Sequence, residues 1–534
     1  IVEILEESLN GYNITANAPP EKDRAIKYYS FQLRTYTVNA YPEEYGLIHY
    51  SLGKVFFRDH PVGQANYDLR AKSIENALHH FRLAGETFDY DSHPFLFGTI
   101  NIYIGQLFRE RATLISNRSL LSKRGVTVND CCQIALAALF EAQSAFLGST
   151  LHDLEYCLAN LETGWVYVLQ LTEAMHEEGR GGEEKEMIVL REQAILALER
   201  AQSLCDELPD KKIGSKPRTW DPTKQETHPE HIRDLLFEQG ISFVGGMVSY
   251  LHGRLYQDWS DELEHQEEAF AAYSRAVKPS RLPPDTEQWV DAHHRAAAIA
   301  VKFPQVVDPN FGESPSTDTD LCYVSAVNHL TTALRNKNIM PARRMDLLFH
   351  LAQANIARLN MIIDRVPEGK SLVKALTHSD GLTIMREVEA NLVQAMRGST
   401  AANTQSTQDA FVYYFACLKL SEFRMLQAAA EAGLADSERS ALLEDAISQL
   451  VNALLARSMI DNLDLHYVGT AQMAQMLLSS HRDDSAAKWF GRALLCCSAI
   501  ANRVQGAPQD LRADSQVKFW DEGVRLGSAA ILSA

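Results

Sequence analysis

The hydrophobic pattern of the N-terminal region occurs twice. Shifting the sequence by fifty-two residues superposes residues 25–56 on residues 77–108 without a gap, and large apolar positions fall on large apolar positions. The matched pairs include Tyr29 with Phe81, Pro42 with Pro94, Gly53 with Gly105 and Phe56 with Phe108. Repetition at a period of this size is typical of stacked helical arrays. The pattern therefore predicts a duplicated helix–turn–helix unit.

Two shorter patterns alternate along the predicted helices. The first helix of each predicted pair carries a large residue, glycine, two further residues and an aromatic residue. Examples are Leu52-Gly53-x-x-Phe56 and Ile104-Gly105-x-x-Phe108. Second helices carry alanine, an apolar residue four positions later and alanine three positions after that, at Ala77/Phe81/Ala84, Ala194/Leu198/Ala201, Ala269/Tyr273/Ala276, Ala326/Leu330/Ala333, Ala446/Leu450/Ala453 and Ala486/Phe490/Ala493. These spacings place the three residues on one helical face. Small residues there let a neighbouring helix approach closely, so the pattern favours packed helix pairs.

Both patterns resemble those of the tetratricopeptide repeat (TPR) family. The match is closest near the C-terminus, where Met473-Ala474-x-x-Leu477 precedes Ala486/Phe490/Ala493 within one unit of about 34 residues. The resemblance implies an all-α, right-handed α-solenoid of antiparallel helix pairs without a significant β-sheet. It also implies a protein that binds other proteins.

Proline-rich stretches divide the chain. We expect a poorly structured lead-in at 1–20, an N-terminal TPR-like stack at 21–206, a long loop at 207–231 and a C-terminal stack at 232–534 with a second loop at 304–319. Prolines at these densities interrupt helices, and loops of this length are either disordered or functional. Because Trp220 lies between prolines in the first loop, we expect it to pack against another surface.

Charge and composition restrict the classes of binding partner and the compartments that we expect. The 534 residues carry a formal net charge of −18, which disfavours generic binding to nucleic acids or anionic membranes. No uncharged apolar run approaches the roughly 18 residues that span a bilayer. Eight cysteines without a C-x-x-C pair indicate buried free thiols in a reducing compartment. We expect an intracellular protein, cytoplasmic, cytoskeletal or ciliary, and since the sequence begins with Ile1 an organellar location stays open.

Histidine and acidic clusters are the candidates for chemistry. His79-His80 and His293-His294 are adjacent on predicted helices, where neighbouring side chains point about 100° apart, so neither pair is suited to chelate one metal ion. Residues 228–231 and 318–320 are better explained by helix capping or solvent exposure. The sequence therefore predicts no catalytic residue, no cofactor and no metal site.

The functional prediction is a non-catalytic scaffold or adaptor, a subunit of a larger assembly that binds a peptide or helix of a partner protein on a concave face. Candidate binding residues are Tyr50 and Lys54 in one unit, Asn101 and Gln106 in the next, and Trp220. The alternative is a regulatory, small-molecule-sensing or enzymatic protein whose site is held in the solenoid. A third hypothesis, nucleic-acid binding, is disfavoured by the negative charge.

Overall fold

The computed structural model describes residues 19–57, 67–117, 126–148, 152–177, 184–212, 229–278, 286–307, 321–336, 341–364, 381–401, 407–430 and 436–456, with a few single positions beside them. The chain divides into two compact units, Ile1–Pro283 and Pro284–Ala534. The described ranges are helical and contain no strand. The predicted all-α class is confirmed.

Nine helices are described in the first unit. They are α1 (Pro19–Gln32), α2 (Pro42–Phe57), α3 (Tyr67–Gly85), α4 (Pro94–Asn117), α5 (Val128–Phe146), α6 (Asp153–Glu177), α7 (Glu184–Lys212), α8 (Pro229–Trp259) and α9 (Leu263–Ala276). Pro42 and Pro94, which the fifty-two-residue period pairs, each begin a helix. Proline suits this position because its missing N–H has no intrahelical partner there.

Six further α-helices are described in the second unit. They are α10 (Glu287–Lys302), α11 (Leu321–Leu334), α12 (Pro341–Asp364), α13 (Gly381–Ala401), α14 (Thr407–Ala430) and α15 (Asp436–Ala456). Thr286 caps the first of these, since its side chain accepts a hydrogen bond from the backbone N–H of Trp289. A short 3-10 helix, Pro304–Val306, follows α10 and contacts both α10 and α11.

Consecutive helices pack as hairpins in both units. In the first unit, α2 pairs with α3, α4 with α5, α6 with α7 and α8 with α9. The first helices of these hairpins also contact one another in order, α2 with α4, α4 with α6 and α6 with α8. The second unit repeats this order in the hairpins α10–α11, α12–α13 and α14–α15. Each unit is therefore a helical repeat array, and the right-handed sense of the superhelix stays a prediction.

Each hairpin of the first unit places a glycine of its first helix against a large side chain of its second. A Cβ added to Gly53 would lie 2.8 Å from the Phe81 ring, and one added to Gly105 would lie 2.6 Å from Leu139. Gly164 meets Leu198 and Gly253 meets Tyr273 in the same way. Because a Cβ does not fit at these distances without displacing its neighbour, the two sequence patterns are the two halves of one contact.

A second contact lies seven residues earlier on each first helix. Gly46 meets Phe88 in the first hairpin, and Gly98 meets Phe146 in the next. In the third hairpin two thiols take these places, with the Sγ atoms of Cys157 and Cys205 3.3 Å apart. The hairpins thus repeat the geometry and vary the atoms that fill it.

Buried alanines lie on both helices of the hairpins in the second unit. The second-helix patterns Ala326/Leu330/Ala333 and Ala446/Leu450/Ala453 are buried, as predicted. The first helices α10, α12 and α14 contribute the fully buried residues Ala296, Ala300, Ala352 and Ala416. Alanine keeps the helices close while retaining a higher helix propensity than glycine.

The two compact units divide the chain at Pro283, beyond the predicted loop at 207–231. Helix α7 runs to Lys212 and α8 begins at Pro229, so helical residues occupy both ends of the predicted loop at 207–231. Helix α8 packs on α6 and α7, which continues the first array past this loop, and the compact unit ends only at Pro283. Prolines mark a break in the helix, whereas contacts between helices decide where a unit ends.

Several predicted features lie outside the described residues. They include most of the lead-in, Trp220, residues 308–319 of the second loop, and the C-terminal pattern at 474–493. Within the second predicted loop, the described part begins with the 3-10 helix noted above.

Candidate functional site

Tyr50 and Lys54, two of the predicted binding residues, lie together on α2. Tyr50 is buried, and its ring makes edge contacts with the rings of Phe81 on α3 and Tyr103 on α4. The ammonium group of Lys54 lies 5.3 Å from the centre of the Tyr50 ring, a cation–π arrangement. Tyr50 therefore belongs to the core between hairpins, and Lys54 covers it.

Asn101 and Gln106 lie apart from this pair on α4. The amide of Asn101 donates to the carbonyl oxygen of Phe97 on its own helix, at 3.1 Å. The amide of Gln106 donates to Oε1 of Glu162 on α6, at 2.9 Å. The four described candidates thus lie on two helices, and a role for them in partner binding stays a prediction.

The contact of Gln106 is part of a buried polar network between α4 and α6 that sequence analysis missed. The carboxylate of Glu162, only 4% exposed, also accepts a hydrogen bond from Arg109 Nε at 2.7 Å. The guanidinium of Arg109 stacks 3.6 Å from the centre of the Trp165 ring. The sequence signal for this network was Glu162 itself, a charged residue within the apolar sequence of α6. The network holds two successive first helices together through a paired charge.

A second, partly buried ion pair links α2, α3 and α4. Arg70 on α3 bonds both carboxylate oxygens of Glu110 on α4, one of them at 2.6 Å from Nε. Its Nη1 also donates to the carbonyl oxygen of Phe57, the last residue of α2, at 3.1 Å. A cation at this place satisfies a terminal carbonyl and complements the negative end of the helix dipole.

Two histidines of the first unit, His49 and His80, form a neutral pair. Nδ1 of His49 on α2 and Nδ1 of His80 on α3 lie 2.9 Å apart, so one ring donates and the other accepts. Phe56 stacks on His80. Burial and the neighbouring histidines lower the pKa of His80 to about 4. These two rings pack against each other, while His79 of the predicted pair is exposed.

The second unit contains a similar pair beside an open cleft. Nδ1 of His293 on α10 lies 2.8 Å from Nδ1 of His329 on α11. Both rings line a cleft of about 450 Å³ together with Val307, Leu321, Val324, Ser325, Asn328 and Thr332. Nε2 of His293 is buried without a hydrogen-bond partner. The next residue, His294, lies against α12, where its ring contacts His350. The sequence-adjacent His293 and His294 therefore contact two different helices, α11 and α12, as helical geometry requires.

The cysteines of the described ranges are buried free thiols. They are Cys131, Cys132, Cys157, Cys205, Cys322 and Cys417. Burial raises the pKa of Cys132 to about 12, and the hydrogen bond with Cys205 together with burial raises the pKa of Cys157. Thiols with raised pKa values are poor nucleophiles. Their position in the helix contacts agrees with the packing role that the sequence indicated.

No described helix is both long enough and apolar enough to cross a bilayer.

No protein-family model matches the chain, and no curated protein matches it. Among solved structures, it matches one titled "Circular tandem repeat protein with novel repeat topology and enhanced subunit contact surfaces", with 11% sequence identity and a TM-score of 0.21, over 92% of this chain and 96% of that chain. A similarity with this TM-score does not support a fold assignment. The helical repeat fold therefore rests on the order and packing of the helices themselves.

Proposed function

We propose that the chain is a TPR-like, non-catalytic protein-interaction scaffold that binds a peptide or helix of another protein within a larger assembly. The observation that carries this proposal is the continuous row of first helices, in which α2, α4, α6 and α8 contact one another in order. Arrays of this kind offer an extended surface, to which each unit adds a few side chains. Fold alone does not identify a ligand, so the test must address the surface.

Lys54 is the best position from which to test the first-helix row. Its side chain is half-buried against Tyr50 and is the charged group of the predicted candidates. Reversing that charge in Lys54→Glu changes this surface and removes the cation–π contact with Tyr50. The matched control is Lys185→Glu, since Lys185 is an exposed lysine on the second helix α7.

The experiment is quantitative affinity isolation of the full chain at native abundance. We expect at least one stoichiometric protein partner, whose recovery falls several-fold with Lys54→Glu and is unchanged with Lys185→Glu. Recovery of no stoichiometric partner by the wild-type chain would contradict the scaffold. Equal losses of partner recovery with both variants would indicate that the partner does not bind at the first helices.

The cleft at His293 and His329 supports a second candidate, a small-molecule-sensing protein. Its volume of about 450 Å³ is in the range of small-ligand sites, and its lining combines apolar side chains with a few polar groups. Ser325→Trp places a large ring in the cleft, and Ser144→Trp on the exposed face of α5 is the control. A metabolite that raises the melting temperature of the wild type and of Ser144→Trp, but not of Ser325→Trp, would favour this candidate over the scaffold.

A further inference from the structure

Three potential metal ligands meet between α10 and α12 in the second unit. Asp346 and His350 lie one turn apart on α12, which places both on one helical face. His294 extends from α10, and its ring centre lies 4.4 Å from that of His350. One possible ligand atom of each residue lies within 4.8 Å of the other two. Two helices that are not consecutive in the chain therefore supply one cluster.

The hydrogen bonds around the cluster leave imidazole nitrogens available. Nδ1 of His350 lies 2.9 Å from the backbone carbonyl oxygen of Asp346 and donates to it, so that Nε2 carries the lone pair. Metal-binding histidines commonly donate their other ring N–H in this way. Nε2 of His294 is buried and has no hydrogen-bond partner. A buried nitrogen without a partner costs free energy, and a metal ion would remove that cost.

We propose that His294, Asp346 and His350 form a binding site for a first-row divalent metal ion of the Zn²⁺ type. Two imidazoles and one carboxylate are a common donor set for such ions, whereas Ca²⁺ and Mg²⁺ prefer oxygen ligands. Zinc–nitrogen bonds of about 2.0–2.1 Å place tetrahedral ligand atoms about 3.3 Å apart. Binding therefore draws the three side chains inward and connects α10 to α12.

Arg343 positions the carboxylate of this cluster. Its Nη1 lies 3.1 Å from Oδ2 of Asp346, and its Nη2 bonds Asp291 on α10. Oδ2 of Asp346 is thereby engaged, and Oδ1, which lies 3.2 Å from Nδ1 of His350, faces the histidine. Hydrogen bonds of this kind fix the orientation of a metal-binding carboxylate.

Zinc titration of the full chain, first freed of metal by chelation, tests the site. The probe is Zn²⁺ in competition with a chromophoric chelator, and the readouts are stoichiometry and affinity. The chain contains 18 histidines, so matched variants are essential. His294→Ala and His350→Ala remove ligands, while His329→Ala removes a histidine of the same unit that pairs with His293 instead.

We expect one tight equivalent of Zn²⁺ in the wild type and in His329→Ala, and affinity at least about 100-fold weaker in His294→Ala and His350→Ala. Zn²⁺ should also raise the melting temperature of the first two proteins only. No tight equivalent in the wild type, or the same affinity in all four proteins, would overturn the site. Loss of binding in His329→Ala would overturn it as well, since the ion would then lie in the cleft.

Two further measurements keep the test independent of folding defects. His350→Gln retains much of the side-chain volume, and circular dichroism without metal checks that each variant is helical. Co²⁺ bound to the wild type should give the visible absorption of a four- or five-coordinate site with nitrogen ligands. Mg²⁺ that displaces Zn²⁺ at equal concentration would contradict the proposed donor set.

Discussion

The polar contacts between successive first helices differ between the two units. Between α4 and α6, Glu162 accepts hydrogen bonds from Gln106 and Arg109, and the guanidinium stacks on an indole ring. Between α10 and α12, the Asp346 carboxylate is paired, but Nε2 of His294 is buried without a partner. The first contact is complete within the protein, whereas the second lacks one partner.

Both contacts occupy the same place in the repeated architecture, so the fold does not determine which one binds a ligand. The buried carboxylate of Glu162 has two hydrogen-bond donors on the neighbouring helix, so a structural role accounts for it without a ligand. A buried imidazole nitrogen without a partner can be satisfied by a hydrogen-bond partner or, where it carries the lone pair, by a metal ion. Function in a repeat array is therefore sought where one unit departs from the pattern of the others.

The largest expected effect comes from breaking the complete contact. Glu162→Ala leaves the guanidinium of Arg109, which is 14% exposed, without its counter-ion. We expect the free energy of unfolding of the first unit to fall by about 3–5 kcal/mol, as measured by urea denaturation.

The control for this variant lies on the same two helices. Glu173 on α6 accepts a hydrogen bond from Ser116 on α4 at an exposed position, so Glu173→Ala should cost less than about 1 kcal/mol. Similar losses in both variants would show that burial of Glu162 does not distinguish the two carboxylates.

An intermediate effect is expected within a hairpin. Gly53→Ala introduces a Cβ that would lie 2.8 Å from the fully buried Phe81 ring, and the resulting strain should lower the free energy of unfolding by about 1–3 kcal/mol. In Gly85→Ala the nearest atom would be Ile100 Cγ2 at 3.9 Å, an ordinary contact, so stability should be unchanged or slightly higher.

Thermal and urea denaturation of the two glycine variants, alone and combined with Phe81→Ala, measure this contact. The cost of Gly53→Ala should shrink when the ring is absent, because the two changes are coupled through one interface. Additive losses would mean that Gly53 and Phe81 do not contact each other.

The smallest effect is a dependence of stability on pH from the histidine pair of the first unit. Burial and then the charge of His79 lower the pKa of His49 to about 4, and the pKa of His80 is also about 4. The unfolded chain, with a histidine pKa of about 6.5, therefore binds more protons than the folded chain between roughly pH 6.5 and pH 4. Stability falls as the pH falls through this window.

We expect the pair to contribute a loss of about 1–2 kcal/mol between pH 7 and pH 5. The double variant His49→Phe/His80→Phe should lose less stability over this interval, measured by urea unfolding at each pH. The variant His79→Ala removes one of the charges that lower both pKa values, so its loss of stability should fall between those of the wild type and the double variant. A double variant with the same pH dependence as the wild type would assign the effect to other groups.

Much of the fold could be predicted because it depends on local spacing. Gly53 and Phe81 belong to patterns whose residues recur every three, four or seven positions, and these intervals define a helical face. The same patterns recurred often enough to indicate pairs of packed helices. The pattern on α5, with Ala135, Leu139 and Ala142 buried opposite Gly105, follows the same rule but was not recognised.

The candidate sites could not be predicted in the same way. Gln106 was proposed as a partner-binding residue, yet its amide bonds Glu162 on another hairpin. His294 was not predicted as a metal ligand because the adjacent His293 points elsewhere, and nothing in the local sequence indicated that His350 lies beside His294. Such contacts depend on the turns between helices, whose lengths vary from unit to unit.

The sequence by itself determined that this chain forms helices, that these helices pair, and which small and large residues share one helical face. Only the tertiary structure decided where one array ends and the next begins, and which polar side chains of different hairpins come together. The physical reason is that periodicity fixes the face of each helix, whereas the register between helices is set by the packing of the whole array.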